Sequence, residues 1–176
     1  MTQLIITAVG PDRPGIVGDL TDYLARNGAN LLDTRMVNLR GQFALMVLLE
    51  APAEAATQMT RDLPTRGEAM GLKLTLSPQM PHVPTTLPGL RYKLKTYSVD
   101  QPGIVAKLTG LLRGHNVNIE ELAAWQESAA MSGQALFLTE MRVTVPSDVP
   151  LRKLRAELDA VCNELNIDAD LEPDEG

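Results

Sequence analysis

Apolar and polar residues follow two periods along the first half of the chain. An apolar run rich in β-branched residues at 4–9 ends at Gly10-Pro11 and predicts a strand. Apolar residues then recur every three or four positions as far as Asn27-Gly28, which predicts a helix with one buried stripe. The elements predicted next are strands at 30–39 and 42–49 around an Arg40-Gly41 turn, an Ala-rich helix at 53–70 broken or shortened by Pro64 and Gly67, and a strand at 72–76.

The second half repeats this order. The predicted elements are a strand at 90–99, a helix at 102–115, a hairpin within 117–145 widened by a loop near Gly133, a helix at 151–165 and a strand at 167–171. The order βαββαβ, found twice, predicts an α+β protein made of two ferredoxin-like sandwiches in tandem.

The two halves also share residues. The hexapeptide at 12–17 reads DRPGIV and returns at 100–105 as DQPGIV. In the same register Leu20, Thr21, Leu24 and Asn30 return as Leu108, Thr109, Leu112 and Asn118. A repeat of about a domain's length indicates a duplicated domain rather than a solenoid.

This duplication predicts the domain boundaries. We expect a first domain at 1–77, a linker at 78–89, a second domain at 90–172 and an exposed acidic tail at 173–176. The linker is dense in proline and lacks hydrophobic periodicity, which is typical of an extended segment.

Composition excludes several classes of function. The formal net charge of −6 and the pI of about 4.9 disfavour direct binding to DNA or RNA. The single cysteine, Cys162, excludes an internal disulfide framework and agrees with a reducing compartment. The sequence shows neither a signal-peptide pattern nor an apolar run of about 18 residues, so we expect a cytoplasmic protein without a membrane span.

The duplicated turn carries the candidate chemistry. Asp12 and Asp100 are predicted to cap the following helices, with Pro14 and Pro102 in the first helical turn. A glycine in each turn, Gly15 or Gly103, permits close approach of a ligand, and a helix N-terminus favours a carboxylate. The aspartates suit an α-ammonium group, whereas Asn30 and Asn118 both donate and accept hydrogen bonds. The alternative is that all these residues serve only to build a tight strand-to-helix turn.

A strand followed by Asp-x-Pro-Gly-Ile-Val and then a helix ending near Asn resembles the ACT domain, a small-molecule-sensing module of amino-acid metabolism. The resemblance implies an amino-acid ligand beside the turn, usually where two domains meet. The residues it implies for ligand binding are Asp12, Pro14, Gly15, Ile16, Asn30, Asp100, Pro102, Gly103, Ile104 and Asn118. Many amino-acid-binding ACT domains have Asn where this chain has aspartate. Ile16, Ile104 and their valine neighbours fit a core role better than a ligand contact.

Two such domains with no enzyme attached resemble the glycine cleavage system transcriptional repressor family. That resemblance implies a regulator of amino-acid metabolism that responds to an amino acid such as glycine and acts through a protein partner, for instance a transcriptional regulator, with a homodimer as a further expectation. The alternative is an assembly module that binds no metabolite and regulates a metabolic enzyme by contact.

An enzyme is the third class, and the sequence offers it little support. Neither His82 nor His115 has a cysteine or acidic neighbour at metal-ligand spacing, so no metal site is expected. Cys162 fits an inert, buried thiol and Trp125 a packing residue. No catalytic residue and no cofactor is expected.

Overall fold

The computed structural model describes residues 1–78, 88–128 and 133–174. The chain divides into two compact units, Met1–Val83 and Pro84–Gly176. Most of the predicted linker, 79–87, lies outside the described residues, as do 175–176 of the predicted tail, so both stay predictions. Within the described parts of the chain, no helix is long and apolar enough to cross a membrane.

The first unit is a four-stranded antiparallel sheet with two helices. Its elements are β1 (Thr2–Pro11), α1 (Ile16–Arg26), β2 (Asn30–Leu39), β3 (Gln42–Ala51), α2 (Ala53–Met70) and β4 (Lys73–Pro78). The strand order is β2-β3-β1-β4, so β2 and β4 form the edges of the sheet.

The second unit has the same topology, and the predicted tandem βαββαβ fold is confirmed. Its elements are β5 (Gly89–Val99), α3 (Ile104–Gly114), β6 (Asn118–Ser128), β7 (Ala135–Pro146), α4 (Leu151–Leu165) and β8 (Ile167–Pro173). The strand order β6-β7-β5-β8 corresponds strand for strand to that of the first unit. β8 runs two residues beyond the predicted strand, and the Asp174 N–H still donates to the Arg91 carbonyl oxygen at 3.0 Å.

The alternation of buried and exposed side chains along each strand decides where each core lies. In β1 every second side chain is buried, as shown by Leu4, Ile6 and Ala8. These side chains pack with buried residues of both helices in one apolar cluster, and the second unit has its own cluster built in the same way. The helices therefore cover one face of each sheet, and each strand-to-helix turn lies at the rim of that covered face.

The prediction that Pro64 and Gly67 would break the second helix was wrong. α2 is continuous over Ala53–Met70 and ends at Gly71, which has the left-handed conformation with φ of 70°. Met59 and Leu63 are completely buried, so core packing outweighs the backbone hydrogen bond that Pro64 removes. Gly67 is also a packing requirement, because a Cβ atom there would lie 2.6 Å from the Leu72 carbonyl oxygen.

We expect Gly67→Ala to destabilise the protein by about 1–3 kcal/mol, because the added methyl group must displace the backbone of Leu72. Gly18→Ala is the matched control in the same unit, since a Cβ at this helical glycine meets nothing within 4 Å. The control should be neutral or stabilising by up to about 1 kcal/mol from helix propensity. Thermal unfolding of both variants tests this, and equal melting temperatures would refute the packing argument.

Candidate functional site

The turn between β1 and α1 is organised by Gly15 rather than by a capping aspartate. Gly15 is the N-cap residue, with a left-handed φ of 83°, and no side chain caps the helix. The predictions that Asp12 caps α1 and that Pro14 lies in its first turn were therefore wrong, since α1 begins at Ile16. A Cβ at Gly15 would meet nothing within 4 Å, so glycine serves the backbone conformation there.

Asp12 instead ties the turn to the β2–β3 hairpin. Its carboxylate Oδ2 accepts a hydrogen bond from Asn38 Nδ2 at 2.5 Å, and its N–H donates to the Gly41 carbonyl oxygen at 2.8 Å. Asn38 Oδ1 in turn accepts from the Gly41 N–H at 3.1 Å. The aspartate is held in place while its other oxygen, Oδ1, has no hydrogen-bond partner in the described parts of the chain.

The start of α1 brings backbone N–H donors and the Arg13 guanidinium close to the turn. The Ile16 and Asp19 N–H groups donate to the Arg13 and Gly15 carbonyls, at 3.4 and 2.9 Å. The N–H groups of the second and third helical residues have no intrahelical acceptor, as at any helix start, and the helix dipole adds positive potential. Arg13 lines the same cavity as these residues, and its guanidinium contacts the Asp19 carboxylate at 2.7 Å. Both charged side chains are about half exposed, so this ion pair is weak and easily exchanged.

These groups border an open cavity of about 480 Å³, lined by Asp12, Arg13, Pro14, Gly15, Ile16, Val17, Gly18, Met36 and Phe43. A second opening, of about 470 Å³, lies on the uncovered face of the second sheet. The turn cavity has room for an amino acid and combines a carboxylate, a guanidinium and helix N–H donors at its wall. Four residues predicted as ligand contacts line it together: Asp12, Pro14, Gly15 and Ile16.

Asn30 does not reach this cavity from within its own unit. It opens β2, whereas Asn38, the residue bonded to Asp12, lies near the end of that strand. Eight steps of about 3.3 Å place the two asparagines about 26 Å apart. Asn30 Nδ2 donates to Glu50 Oε1 at 3.4 Å, and the helix-end carbonyl of Tyr23 is bound instead by Asn27 Nδ2 at 2.8 Å.

The turn between β5 and α3, the second turn, repeats the hydrogen bonds that hold the first. Asp100 Oδ2 accepts from Gln126 Nε2 at 2.6 Å, and the Asp100 N–H donates to the Ala135 carbonyl at 3.0 Å. Gly103 is the N-cap of α3 with φ of 94°, so Asp100 does not cap the helix and Pro102 precedes it. Asn118 opens β6, at the far end of that strand from Gln126.

Sequence reasoning missed Asn38 and Gln126, although the repeat contains the signal. Each amide follows its aspartate by 26 residues, so the duplicated register pairs them even though one is Asn and the other Gln. The family resemblance placed Ile16 and Ile104 among the ligand contacts, whereas the residues themselves favoured a core role, and they are 3% and 1% exposed. Ile16 therefore lines the cavity while anchoring α1 in the core.

Metal binding has no arrangement to support it in the described residues. No group of three or more His, Cys, Asp or Glu side chains is placed to hold a metal ion there. His115 does have an acidic neighbour that its sequence position did not reveal, because its Nε2 lies 2.7 Å from Glu157 Oε2 across α3 and α4. This hydrogen bond lowers the pKa of the Glu157 carboxyl. His82 lies outside the described residues.

Trp125 is not a core residue. Its side chain is 39% exposed on β6, and its indole N–H donates to Glu127 Oε1 at 2.7 Å. It lines the opening on the uncovered face of the second sheet together with Tyr97 and Leu138, its neighbours across the strands. Trp125 lies outside the buried cluster, on the uncovered sheet face, and its expected role in packing stays a prediction.

Cys162 is buried, and desolvation raises the pKa of its thiol, with Asp159 and Asp168 adding to the shift. We expect its reaction with a disulfide reagent at pH 8 to be about 10-fold or more slower than in the urea-unfolded chain. Folding raises the pKa of the Cys162 thiol. Its contribution to the free energy of unfolding is therefore complete below the unfolded-state pKa of about 8.5 and is lost as the pH rises further. Cys162→Ser is the blank, and equal labelling rates would refute the inert-thiol prediction.

Comparisons with known proteins agree with this architecture. The ACT domain family model matches residues 2–77. The chain is similar to the glycine cleavage system transcriptional repressor of Escherichia coli, with 28% identity over 93% of this chain and 85% of that protein. It is also similar to a UPF0237 protein of Methanococcus maripaludis, 31% identical over 43% of this chain and 87% of that protein.

A solved structure extends the match over both units. The crystal structure of an unknown protein from Galdieria sulphuraria superposes with a TM-score of 0.84 and 28% identity, covering 98% of each chain. The family model covers the first unit, and the second has the same topology, the same left-handed glycine and the same carboxylate–amide bond at its turn. The first unit therefore belongs to the ACT-domain family, and the second unit repeats its βαββαβ fold in tandem.

Proposed function

We propose that this chain is a non-catalytic, amino-acid-responsive regulator in the cytoplasm that controls transcription of amino-acid metabolism, glycine metabolism in particular, through a protein partner. The observation that carries the proposal is the first turn, where a carboxylate, a guanidinium and helix N–H donors border one cavity. The similarity to a relative named as a glycine cleavage system transcriptional repressor supports the choice of process.

A zwitterion suits the charges at this turn. Its α-ammonium group would approach Asp12 Oδ1, the oxygen that Asn38 does not bind. Its carboxylate would approach the exposed N–H groups at the start of α1 and the guanidinium of Arg13. Met36 and Phe43 add apolar wall, so a short side chain on the ligand is also accommodated.

The size of the ligand limits its affinity. Glycine has five heavy atoms, and at a ceiling of about 1.5 kcal/mol per atom it gains at most about 7.5 kcal/mol, which corresponds to a micromolar dissociation constant. A sensor of this kind suits a metabolite present at micromolar to millimolar concentrations.

A second copy of the chain would complete the site. β2 is an edge strand exposed along its whole length. Pairing it antiparallel with β2 of a second copy, centred on Thr34, sets Asp33 opposite Arg35 in both directions and brings Asn30 of one copy near Asn38 of the other. Exposed apolar side chains on β2, including Leu32, Met36 and Val37, would be covered by the same contact. This arrangement accounts for the predicted role of Asn30 and for the expected homodimer.

The alternative assembly module is favoured by one observation. Every polar side chain at the turn already has a partner inside the chain: Asp12 has Asn38, and Arg13 has Asp19. A turn of this kind is self-sufficient as a structural element, and the protein would then regulate a metabolic enzyme by contact alone.

We expect calorimetry with the twenty common amino acids to detect at least one ligand, with a dissociation constant no tighter than roughly micromolar. Asp12→Asn keeps an acceptor for Asn38 but removes the charge opposite the ammonium group, so affinity should fall about 10-fold or more. The control is Asp22→Asn, an exposed acid on α1, the helix that follows the turn, and this variant should bind normally. If no amino acid binds, the assembly module is the correct reading.

We expect the purified chain alone to give no salt-resistant retention of DNA in a gel-shift experiment, because its net charge is −6. A DNA-binding regulator of the organism's own glycine cleavage genes should bind the chain with an affinity that changes about 5- to 150-fold when the amino acid is added. Specific DNA binding by the chain alone would refute the partner mechanism, and identical affinities with and without the amino acid would refute the responsiveness.

A further inference from the structure

The two turns share a scaffold but differ at two positions, and these differences change what each turn can bind. Arg13 of the first turn corresponds to Gln101 of the second, and Asp19 corresponds to Lys107. In the first turn these two residues pair with each other on the surface, at 2.7 Å. In the second turn neither residue contacts the other, and both reach α4 instead.

The second turn is tied to the last turn of α4 by two bonds. Gln101 Nε2 donates to the Leu165 carbonyl oxygen at 2.6 Å, which satisfies a carbonyl at the end of that helix. The Lys107 ammonium group pairs with the carboxylate of Glu164. The Gln101 bond therefore joins the start of α3 to the end of α4, whereas the exposed Lys107–Glu164 ion pair adds little to stability.

The first turn has no such connection. In the described parts of the chain, neither a hydrogen bond nor an ion pair joins the side chains of Arg13 and Asp19 to α2, and the Arg13 side chain remains 42% exposed. Its partner Asp19 is itself half exposed, so exchanging this ion pair for a ligand carboxylate costs little. A guanidinium that can turn toward the cavity is present at one turn and missing from the other.

A carboxylate ligand requires such a cation, because the aspartate of each turn carries like charge. At the second turn Asp100 would face the ligand with a neutral Gln101 beside it, whose amide is bound to the Leu165 carbonyl oxygen. Lys107 lies one turn further along α3 and directs its ammonium group to Glu164 on α4. At the first turn Arg13 compensates that repulsion and offers the paired N–H groups that fit a carboxylate.

We propose that the duplicated turns have separate roles: the first turn alone binds the amino acid, with Arg13 holding its carboxylate, whereas the second turn is a structural brace in which Gln101 fastens α3 to α4. This proposal rests on the proposed amino-acid binding and sets its stoichiometry at one per chain. Arg13 is the specificity-determining residue, and Gln101 contributes to the stability of the second domain.

Calorimetry and two-dimensional NMR on the full chain test the proposal. The titrant is glycine or, where glycine gives no heat, each of the other common amino acids in turn. We expect one site per chain, saturable shifts of the Gly15 and Gly18 amide signals, and no shift at Gly103. Arg13→Gln should weaken binding about 10-fold or more, and Arg13→Lys, which keeps a cation without the paired donors, should weaken it less.

Gln101→Ala is the matched variant at the second turn. It should bind the amino acid with unchanged affinity but melt at a lower temperature, because the Leu165 carbonyl loses its donor. Two sites per chain, a saturable shift at Gly103, or normal binding by Arg13→Gln would overturn this inference while leaving the proposed amino-acid response intact. A failure of every amino acid to bind would overturn both.

Discussion

Each domain depends on burying one face of a four-stranded sheet beneath two helices. Alternate side chains of β1, such as Leu4 and Ile6, enter the core with the apolar stripes of α1 and α2. This one-sided burial leaves the other sheet face and the edge strand β2 exposed. It also forces the chain to reverse sharply between β1 and α1, and that reversal is where polar groups and helix donors converge.

The reversal is held by a bond between segments far apart in the sequence. The carboxylate of Asp12 is bound by Asn38, and that of Asp100 by Gln126, so the turn and the end of the neighbouring hairpin form one rigid unit in each domain. A left-handed glycine completes the geometry at both places. Because the scaffold needs only these groups, the residue after the aspartate is free to diverge. Arginine at one copy and glutamine at the other give the two turns different neighbours and different chemistry.

The duplication of the domain gives a reason for the difference between the two turns. Under the proposed division of roles, two identical turns would give two weak sites for one small ligand, whereas the bond from Gln101 to α4 adds to the stability of the second domain. A domain of this size buries only about 60% of its unfolded surface, so an added brace is useful to its stability. In the proposed arrangement the first turn stays without such a bond, because a bond from Arg13 to α2 would occupy the cation that a carboxylate ligand needs.

Local pattern in the sequence was enough to determine the element order, the duplication and the identity of the turns. The period of the apolar residues and the Gly-Pro and Asn-Gly pairs that end elements are local signals, and the hexapeptide repeats them in the second half. These signals predicted most strand and helix ends to within two residues. Side-chain partners across the fold were decided only by the tertiary structure. Asp12 binds Asn38 instead of capping α1, Asn30 lies a strand's length from the turn, and α2 continues through Pro64. Each of these outcomes depends on contacts between residues distant in the sequence, where packing and strand register outweigh local preference.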